Sequence, residues 1–198
     1  MHDVTVNFSL GFDQKTFADF VAGRGKAQVE PPGLTLYRLL DEIYDGKPLR
    51  IVETGCLRNG SADALMSDGW STYYFAQWVK RHPGSTLTSI EIDPASCRLC
   101  EQFLRSNELG EIVEFLCGDS TTVLLGRDET DFVYLDSCDG LEHGLEEFRT
   151  ALLLNPKIIV MDDFDTKARM AFDWAAANKI PVERNNRYTI FRPQSGQQ

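Results

Sequence analysis

Carboxylates recur where short apolar runs end. LRIVE closes on Glu53, LTSIEID on Glu91 and Asp93, and IVEFLCGDS on Asp119, while DFVYLD closes on Asp136 and KIIVMDD on Asp162 and Asp163. Acids in such places have a short list of uses. They accept hydrogen bonds from ribose hydroxyls, hold a cationic ligand, ligate a hard divalent metal, or take a proton from a hydroxyl. His143, within Glu142-His143-Gly144-Leu145-Glu146, is also suited to proton transfer, because an unperturbed imidazole titrates at about 6.5.

The runs carrying these acids read as strands alternating with helices. LRIVE (49–53), LTSIEI (87–92), IVEFLC (112–117), DFVYLD (131–136) and KIIVMD (157–162) are candidate strands. Between them, 71–81, 95–107, a short turn from Ser120, 145–154 and 166–178 have helical length and an apolar face. Two further helices, 14–23 and 34–45, flank the Pro31-Pro32-Gly33 break in a leader spanning 1–46. The chain then divides into a ligand-binding domain, 47–193, and a polar tail, 194–198. Near the end, Asn185-Asn186 joins two short apolar runs, and both asparagines tolerate positive φ, as a tight hairpin asks. The expected fold is α/β, a doubly wound, mostly parallel, seven-stranded sheet with an antiparallel C-terminal hairpin strand.

In such sheets the ligand lies beyond the carboxyl ends of the strands, where the acids gather. The stretch from Gly55 to Ala62 has the outline of a phosphate-binding loop, yet Ser61 stands where the lysine belongs. Leu57 occupies the second glycine position of a dinucleotide fingerprint. Glu53 beside a pyrophosphate would be repelled by about 4 kcal/mol per charge pair at ~4 Å and an effective dielectric of ~20. NAD and ATP are therefore disfavoured. A ligand with a positive charge and a ribose but no phosphate reverses the sign, and S-adenosylmethionine is such a ligand.

The order VETG, SIEID, CGDS, VYLD, VMDD resembles the class I S-adenosylmethionine-dependent methyltransferases, from residue 49 to the C-terminal hairpin. The resemblance implies that Glu53-Thr54-Gly55 is their first motif. Glu91, with Ile92 beside it, matches the acid that holds the ribose hydroxyls. Asp119-Ser120, reached through Gly118, matches the pair that contacts adenine. Asp136 lines the cofactor pocket. Glu53 and Glu91 stand farther apart than a compact mononucleotide half requires, and the excess lies in 56–70. Ser71 and Thr72 read as N-terminal caps whose backbone amides receive the methionine carboxylate, with Ser61 the competing candidate and 57–68 a candidate lid.

Asp136, Asp162 and Asp163 further resemble the metal-holding acids of small-molecule O-methyltransferases related to catechol O-methyltransferase, with Asp-Asp where those enzymes carry Asp-Asn. That implies Mg²⁺ or another divalent cation, which lowers the pKa of an acceptor hydroxyl. The stretch around His143 resembles the D-H-x-x-E segment of bacterial antibiotic- and sugar-modifying relatives, which makes His143 the alternative base. The catalytic candidates are thus Asp136, through the metal, and His143.

Of the 198 residues 20 are basic and 30 acidic, a formal net charge of −10 that repels nucleic acid and suits a small-molecule acceptor. No apolar run is long enough to cross a membrane, and the N-terminus lacks the order of a signal peptide. Five cysteines at irregular spacing point to reduced thiols in a cytoplasm, with Cys97 and Cys100 read as buried or half-buried thiols. Trp70, Tyr73, Tyr74, Phe75 and Trp78 have the spacing of a helix face turned to the core, and Met161 belongs there too. Phe8, Phe12, Phe17 and Phe20 either fold over the substrate mouth or pack on a second copy in a homo-oligomer. The expected function is methyl transfer from S-adenosylmethionine to a small-molecule hydroxyl. The alternative is a non-catalytic S-adenosylmethionine-binding regulator or scaffold.

Overall fold

The computed structural model describes residues 32–58 and 70–194. The expected helix at 14–23, the four leader phenylalanines, Ser61 and most of the candidate lid lie outside them. Helix α1 (Gly33–Ile43) leads into strand β1 (Arg50–Thr54). The alternation continues through α2 (Ser71–Arg81), β2 (Thr86–Glu91), α3 (Pro94–Ser106), β3 (Val113–Cys117), α4 (Ser120–Leu125) and β4 (Phe132–Leu135). It closes with α5 (Leu141–Leu152), β5 (Ile158–Met161), a π-helical turn (Phe164–Ala168), α6 (Arg169–Ala177), β6 (Val182–Arg184) and β7 (Thr189–Phe191). The strands form one seven-stranded sheet in the order β3-β2-β1-β4-β5-β7-β6. The first five are parallel to their neighbours, and β7 runs antiparallel between β5 and β6. The expected architecture is the observed one.

Strand pleating decides which side chains share a face. Ile51, Leu87, Phe132, Tyr134, Ile158 and Val160 belong to one buried layer with Leu40, Phe75, Trp78 and Phe103 from α1, α2 and α3. Val52, Ile90, Val133, Leu135, Ile159 and Met161 join a second layer with Leu124, Phe148, Ala151 and Ala171. The helical aromatics are core, as their spacing predicts. Phe75 and Trp78 are fully covered, and burial of such side chains contributes roughly 1.5–3 kcal/mol each. Met161 and Cys100 are buried too, and Cys97 is half-buried. No helix among the described residues is long and apolar enough to cross a membrane.

The same parity places the acids. Glu53 continues the face of Ile51 and pairs in register with Ser89 and Tyr134. Glu91, two residues past Ser89, follows on that face. Leu135 pairs with Met161, so Asp136 and Asp162, each the next residue, leave adjacent strands together. Four acids thus emerge on one side of one edge of the sheet.

Three local expectations are corrected. Helix α5 begins at Leu141, ahead of the expected 145, with Gly144 inside it. A Cβ at Gly144 would lie 2.4 Å from the carbonyl oxygen of Lys167, so this glycine serves a close approach between α5 and the π-helical turn. The helix expected over 166–178 is two pieces, a π-helical turn that follows Asp163 at φ 42 and then α6. The hairpin loop spans four residues, because Arg184 pairs with Thr189. Neither Asn185 nor Asn186 takes positive φ. Instead the Asn185 side-chain oxygen accepts from the amides of Arg187 at 2.9 Å and Tyr188 at 2.6 Å, closing an Asx-type turn.

The ends of β1 and β4 meet at Gly55. Its φ is +79, and a Cβ there would stand 2.3 Å from the Asp136 carbonyl oxygen. The Asp136 amide donates to the Thr54 carbonyl at 3.0 Å, and the Gly55 amide to the Ile90 carbonyl at 2.8 Å. Gly55→Ala is expected to lower stability by about 2–4 kcal/mol, from left-handed strain and backbone collision together. Urea unfolding measures this, and an unchanged midpoint would show that the strand ends are free to separate.

Candidate functional site

Strand order reverses between β1 and β4, the position at which a doubly wound sheet opens a crevice. Glu53 stands there, wholly buried. Its Oε1 accepts from the Ser89 hydroxyl at 2.8 Å and its Oε2 from the Ser71 hydroxyl at 3.0 Å. Burial pushes its carboxyl up to about 7, against hydrogen bonds from Thr72, Ser89 and Ser71 that pull it down. Thr54, also buried, accepts from the Asp136 amide through its hydroxyl at 3.2 Å.

The capping role expected for Ser71 and Thr72 is corrected. The residue before α2 is Trp70, at φ 50, and no side chain caps the helix. The Ser71 hydroxyl is drawn inward to Glu53, and Thr72 Oγ1 accepts from the Leu57 amide at 3.0 Å. A buried carboxyl group competes better for a hydroxyl than a helix end near water does, since leaving its oxygens unpaired costs their full desolvation. The two residues therefore tie α2 to β1 and to the loop after it.

Glu91 closes β2 almost fully buried, with Oε1 accepting from the Asp93 amide at 2.9 Å and Oε2 from the Cys56 amide at 3.3 Å. Ile92 beside it is 68% exposed, an apolar side chain open to a flat ligand. Gly118 donates its amide to the Glu91 carbonyl at 3.0 Å, which brings the end of β3 alongside. Asp119 caps α4 through the Thr122 amide, and its carboxyl is held below the ordinary value by hydrogen bonds led by the Thr121 hydroxyl. Ser120 is buried, with its hydroxyl 3.4 Å from His143 Nε2.

His143 also lies 3.1 Å from the Ser137 hydroxyl and 3.7 Å from Glu147 Oε1. Glu147 raises the imidazole above its ordinary value, against partial burial. The structure therefore sets His143 between the ends of β3 and β4.

Asp136 and Asp162 meet as the register requires, and two cations missed in the sequence meet them. Lys167, from the π-helical turn, has its ammonium against Asp136 Oδ1. Arg187, from the hairpin loop, grips Asp162 with Nε at 2.9 and 3.0 Å and Nη2 at 2.6 Å. The Asp162 oxygens also accept from the Tyr134 hydroxyl at 3.1 Å and the Asp163 amide at 3.0 Å. The carboxylate of Asp163 is 58% exposed and 4.0 Å from Lys167 Nζ.

The expected metal trio of Asp136, Asp162 and Asp163 is corrected on this geometry. A Mg²⁺ ion demands near-octahedral oxygens at ~2.1 Å. Here the Asp162 oxygens are taken up by guanidinium, hydroxyl and amide donors, and Asp136 faces an ammonium. Among the described residues no group of three or more His, Cys, Asp or Glu is arranged to hold a metal. The donor set does not fit a divalent cation.

Two openings flank Asp136. A narrow cleft runs from Gly55 and Arg58 to Trp70 and Ser71 with Asp136 as its far wall. A cavity of about 460 Å³ shares Arg58 and Asp136 with it and is walled further by Ser137, Asp162, Lys167 and Arg187 among others. Burial pushes the Asp136 carboxyl up to about 6, with Lys167 pulling against it. A carboxylate titrating there, shared by both openings, is equipped to receive a proton near neutral pH.

No family model matches the chain, and no curated protein matches it. Solved structures do. Cofactor-bound Rv0187 from MTB is 17% identical with a TM-score of 0.62, over 90% of this chain and 88% of that one. The O-methyltransferase from Bacillus cereus in complex with SAH is 17% identical with a TM-score of 0.61, over 91% of this chain and 90% of that one. The chain has the Rossmann-like methyltransferase fold. A third likeness is to the O-methyltransferase TomG from Streptomyces achromogenes, involved in tomaymycin synthesis and solved with SAM, at 17% identity and TM-score 0.61 over 90% and 87% of the two chains. Within that fold, Lys167 and Arg187 could have been found in the sequence by asking what neutralises acids that converge at five strand ends.

Glu53 gives a pH prediction. An acid whose folded value, about 7, lies above its ordinary 4.5 holds its proton longer when folded. Stability then falls as pH rises through that window, because the folded state binds more protons there. Glu53→Gln is expected to remove a loss of roughly 2–4 kcal/mol across it. Urea unfolding at stepped pH reads the effect, and parallel wild-type and variant profiles would overturn it.

Proposed function

We propose that the chain is an S-adenosylmethionine-dependent methyltransferase acting on a small-molecule hydroxyl. The observation that carries the reading is the convergence of Glu91, the Gly55 turn and Asp136 around the switch point of this fold. When bound, the donor supplies an electrophilic methyl group on a cationic sulfur.

The chain's own residues divide the remaining work. Glu91, fixed by two backbone amides, accepts from the ribose hydroxyls. Gly118, Asp119 and Ser120 border the adenine, and exposed Ile92 covers its face. Thr54, Gly55 and the Cys56-Leu57 amide run, steadied by Glu53, Ser71 and Thr72, shape the cleft for the amino-acid end. Asp136 stands between donor and acceptor and receives the hydroxyl proton. His143, beside Ser120 and Ser137 and raised by Glu147, fits the adenine wall better than the acceptor cavity. Rate comes mainly from alignment of oxygen, methyl carbon and sulfur, since oriented reactants reach high effective molarity.

S-adenosylmethionine and S-adenosylhomocysteine are expected to raise the melting temperature, and NAD and ATP to leave it unchanged. Glu91→Ala is expected to weaken S-adenosylmethionine binding about ten- to a hundred-fold by calorimetry, as losing charge-assisted hydrogen bonds worth ~1.5–3 kcal/mol implies. Stabilisation by NAD or ATP alone, or full affinity in a folded Glu91→Ala variant, would overturn the reading.

A further inference from the structure

We propose that Lys167, together with Arg187, supplies from within the chain the positive charge that a divalent ion would bring, so that the acceptor oxygen is met by the Lys167 ammonium and methyl transfer needs no metal. The inference rests on the methyltransferase reading for its acceptor, though the cation geometry is independent of it.

The ammonium of Lys167 lies among three carboxylates. It lies against Asp136 Oδ1, 3.7 Å from Asp139 Oδ1 and 4.0 Å from Asp163 Oδ2. Of its three N–H donors, only the one to Asp136 has a partner at hydrogen-bond distance among the described residues. The others are left for an oxygen in the cavity of about 460 Å³ that Lys167 helps to wall. Arg187 neutralises the neighbouring Asp162. Together the two side chains contribute two unit charges, the formal charge of a divalent ion, at the two strand-end acids best placed to ligate one.

The position is built into the fold. The Lys167 amide donates to the Asp163 carbonyl at 2.9 Å, and the Gly140 amide to the Thr166 carbonyl at 2.9 Å. Gly144 lets the Lys167 carbonyl approach α5 to where a Cβ would sit at 2.4 Å. The side chain is 8% exposed, so little freedom remains to be lost when a ligand binds. Burial draws the lysine down, but Asp136, Asp162 and Asp163 more than offset it, so the group stays charged at neutral pH.

The step balances. The acceptor O–H bond breaks and its proton passes to the Asp136 carboxylate while Lys167 holds the oxygen. The oxygen lone pair forms the new C–O bond. The bond from methyl carbon to sulfur breaks with its electrons left on sulfur, which discharges the sulfonium to a thioether.

Two measurements on the full chain test this. Mn²⁺ titration in the presence of S-adenosylhomocysteine, followed by electron paramagnetic resonance, is expected to show no bound ion in the wild type. It is expected to show a new site in Lys167→Ala that Asp136→Asn abolishes. Specific Mn²⁺ binding by the wild type, or none by a folded Lys167→Ala, would overturn the proposal. The second measurement is methyl transfer from labelled S-adenosylmethionine to a panel of phenols and catechols. Turnover is expected to be indifferent to EDTA, to fall about a hundred-fold in Lys167→Met and to recover in part in Lys167→Arg. The acid limb of the wild-type rate, at about pH 6, should move to higher pH in Lys167→Met, because Asp136 loses the cation that pulls it down. Loss of activity in EDTA with rescue by Mg²⁺ would overturn the proposal. Calorimetry with S-adenosylmethionine on the same samples reports the methyltransferase reading by itself, and the Mn²⁺ result stands without it.

Discussion

Like charges brought to one edge of a buried sheet repel one another, and this edge is organised around that fact. Parity puts Glu53, Glu91, Asp136 and Asp162 on the same face at the ends of β1, β2, β4 and β5. A pair of carboxylates at ~4 Å costs roughly 4 kcal/mol even at an effective dielectric of ~20, and the desolvation of each adds to it. The chain meets this in three ways. Glu53 takes two hydroxyls and keeps a proton to about 7, Glu91 takes two backbone amides, and Asp136 and Asp162 take side-chain cations. Each solution leaves a different chemical group behind.

The differences divide the site. Hydroxyls and amides leave the β1–β2 side with acceptor oxygens, which suit hydroxyl donors. Ammonium and guanidinium offset Asp136 and Asp162 on the β4–β5 side, and the Lys167 N–H donors that have no hydrogen-bond partner among the described residues suit an oxygen gathering negative charge. Asp136 sits on the boundary because its amide is locked to Thr54 while its carboxylate is tied to Lys167. The Gly55 turn is what holds that boundary shut.

Most of the sheet was legible in the chain. Runs such as IVE and VYLD are apolar on both faces and end in turn residues, so strand identity, order of elements and the acids at their ends could be read without coordinates. What escaped reading depends on approach between distant segments. Gly144 looks like a helix boundary until the Lys167 backbone is seen against it. Ser71 and Thr72 look like caps until Glu53 and Leu57 compete for their hydroxyls. Asn185 looks like a residue for positive φ until its side chain closes the loop. Lys167 and Arg187 stand 31 and 25 residues from the acids they serve, on a π-helical turn and a hairpin loop whose conformations no periodicity announces.

The acid trio shows why residue type alone misleads at such an edge. Three aspartates after adjacent strands have the composition of a hard-metal site, and a resemblance to metal-dependent enzymes follows. Whether oxygens are available to a metal depends on what else reaches them, and a tethered cation has the advantage of effective concentration over a dissolved ion. Once Arg187 closes on Asp162 in a fork of charge-assisted bonds, a divalent ion would have to displace a half-buried guanidinium from a buried carboxylate. The strand ends therefore pair acids of the type a hard metal uses with cations that already occupy them, and the cations set what this edge can hold.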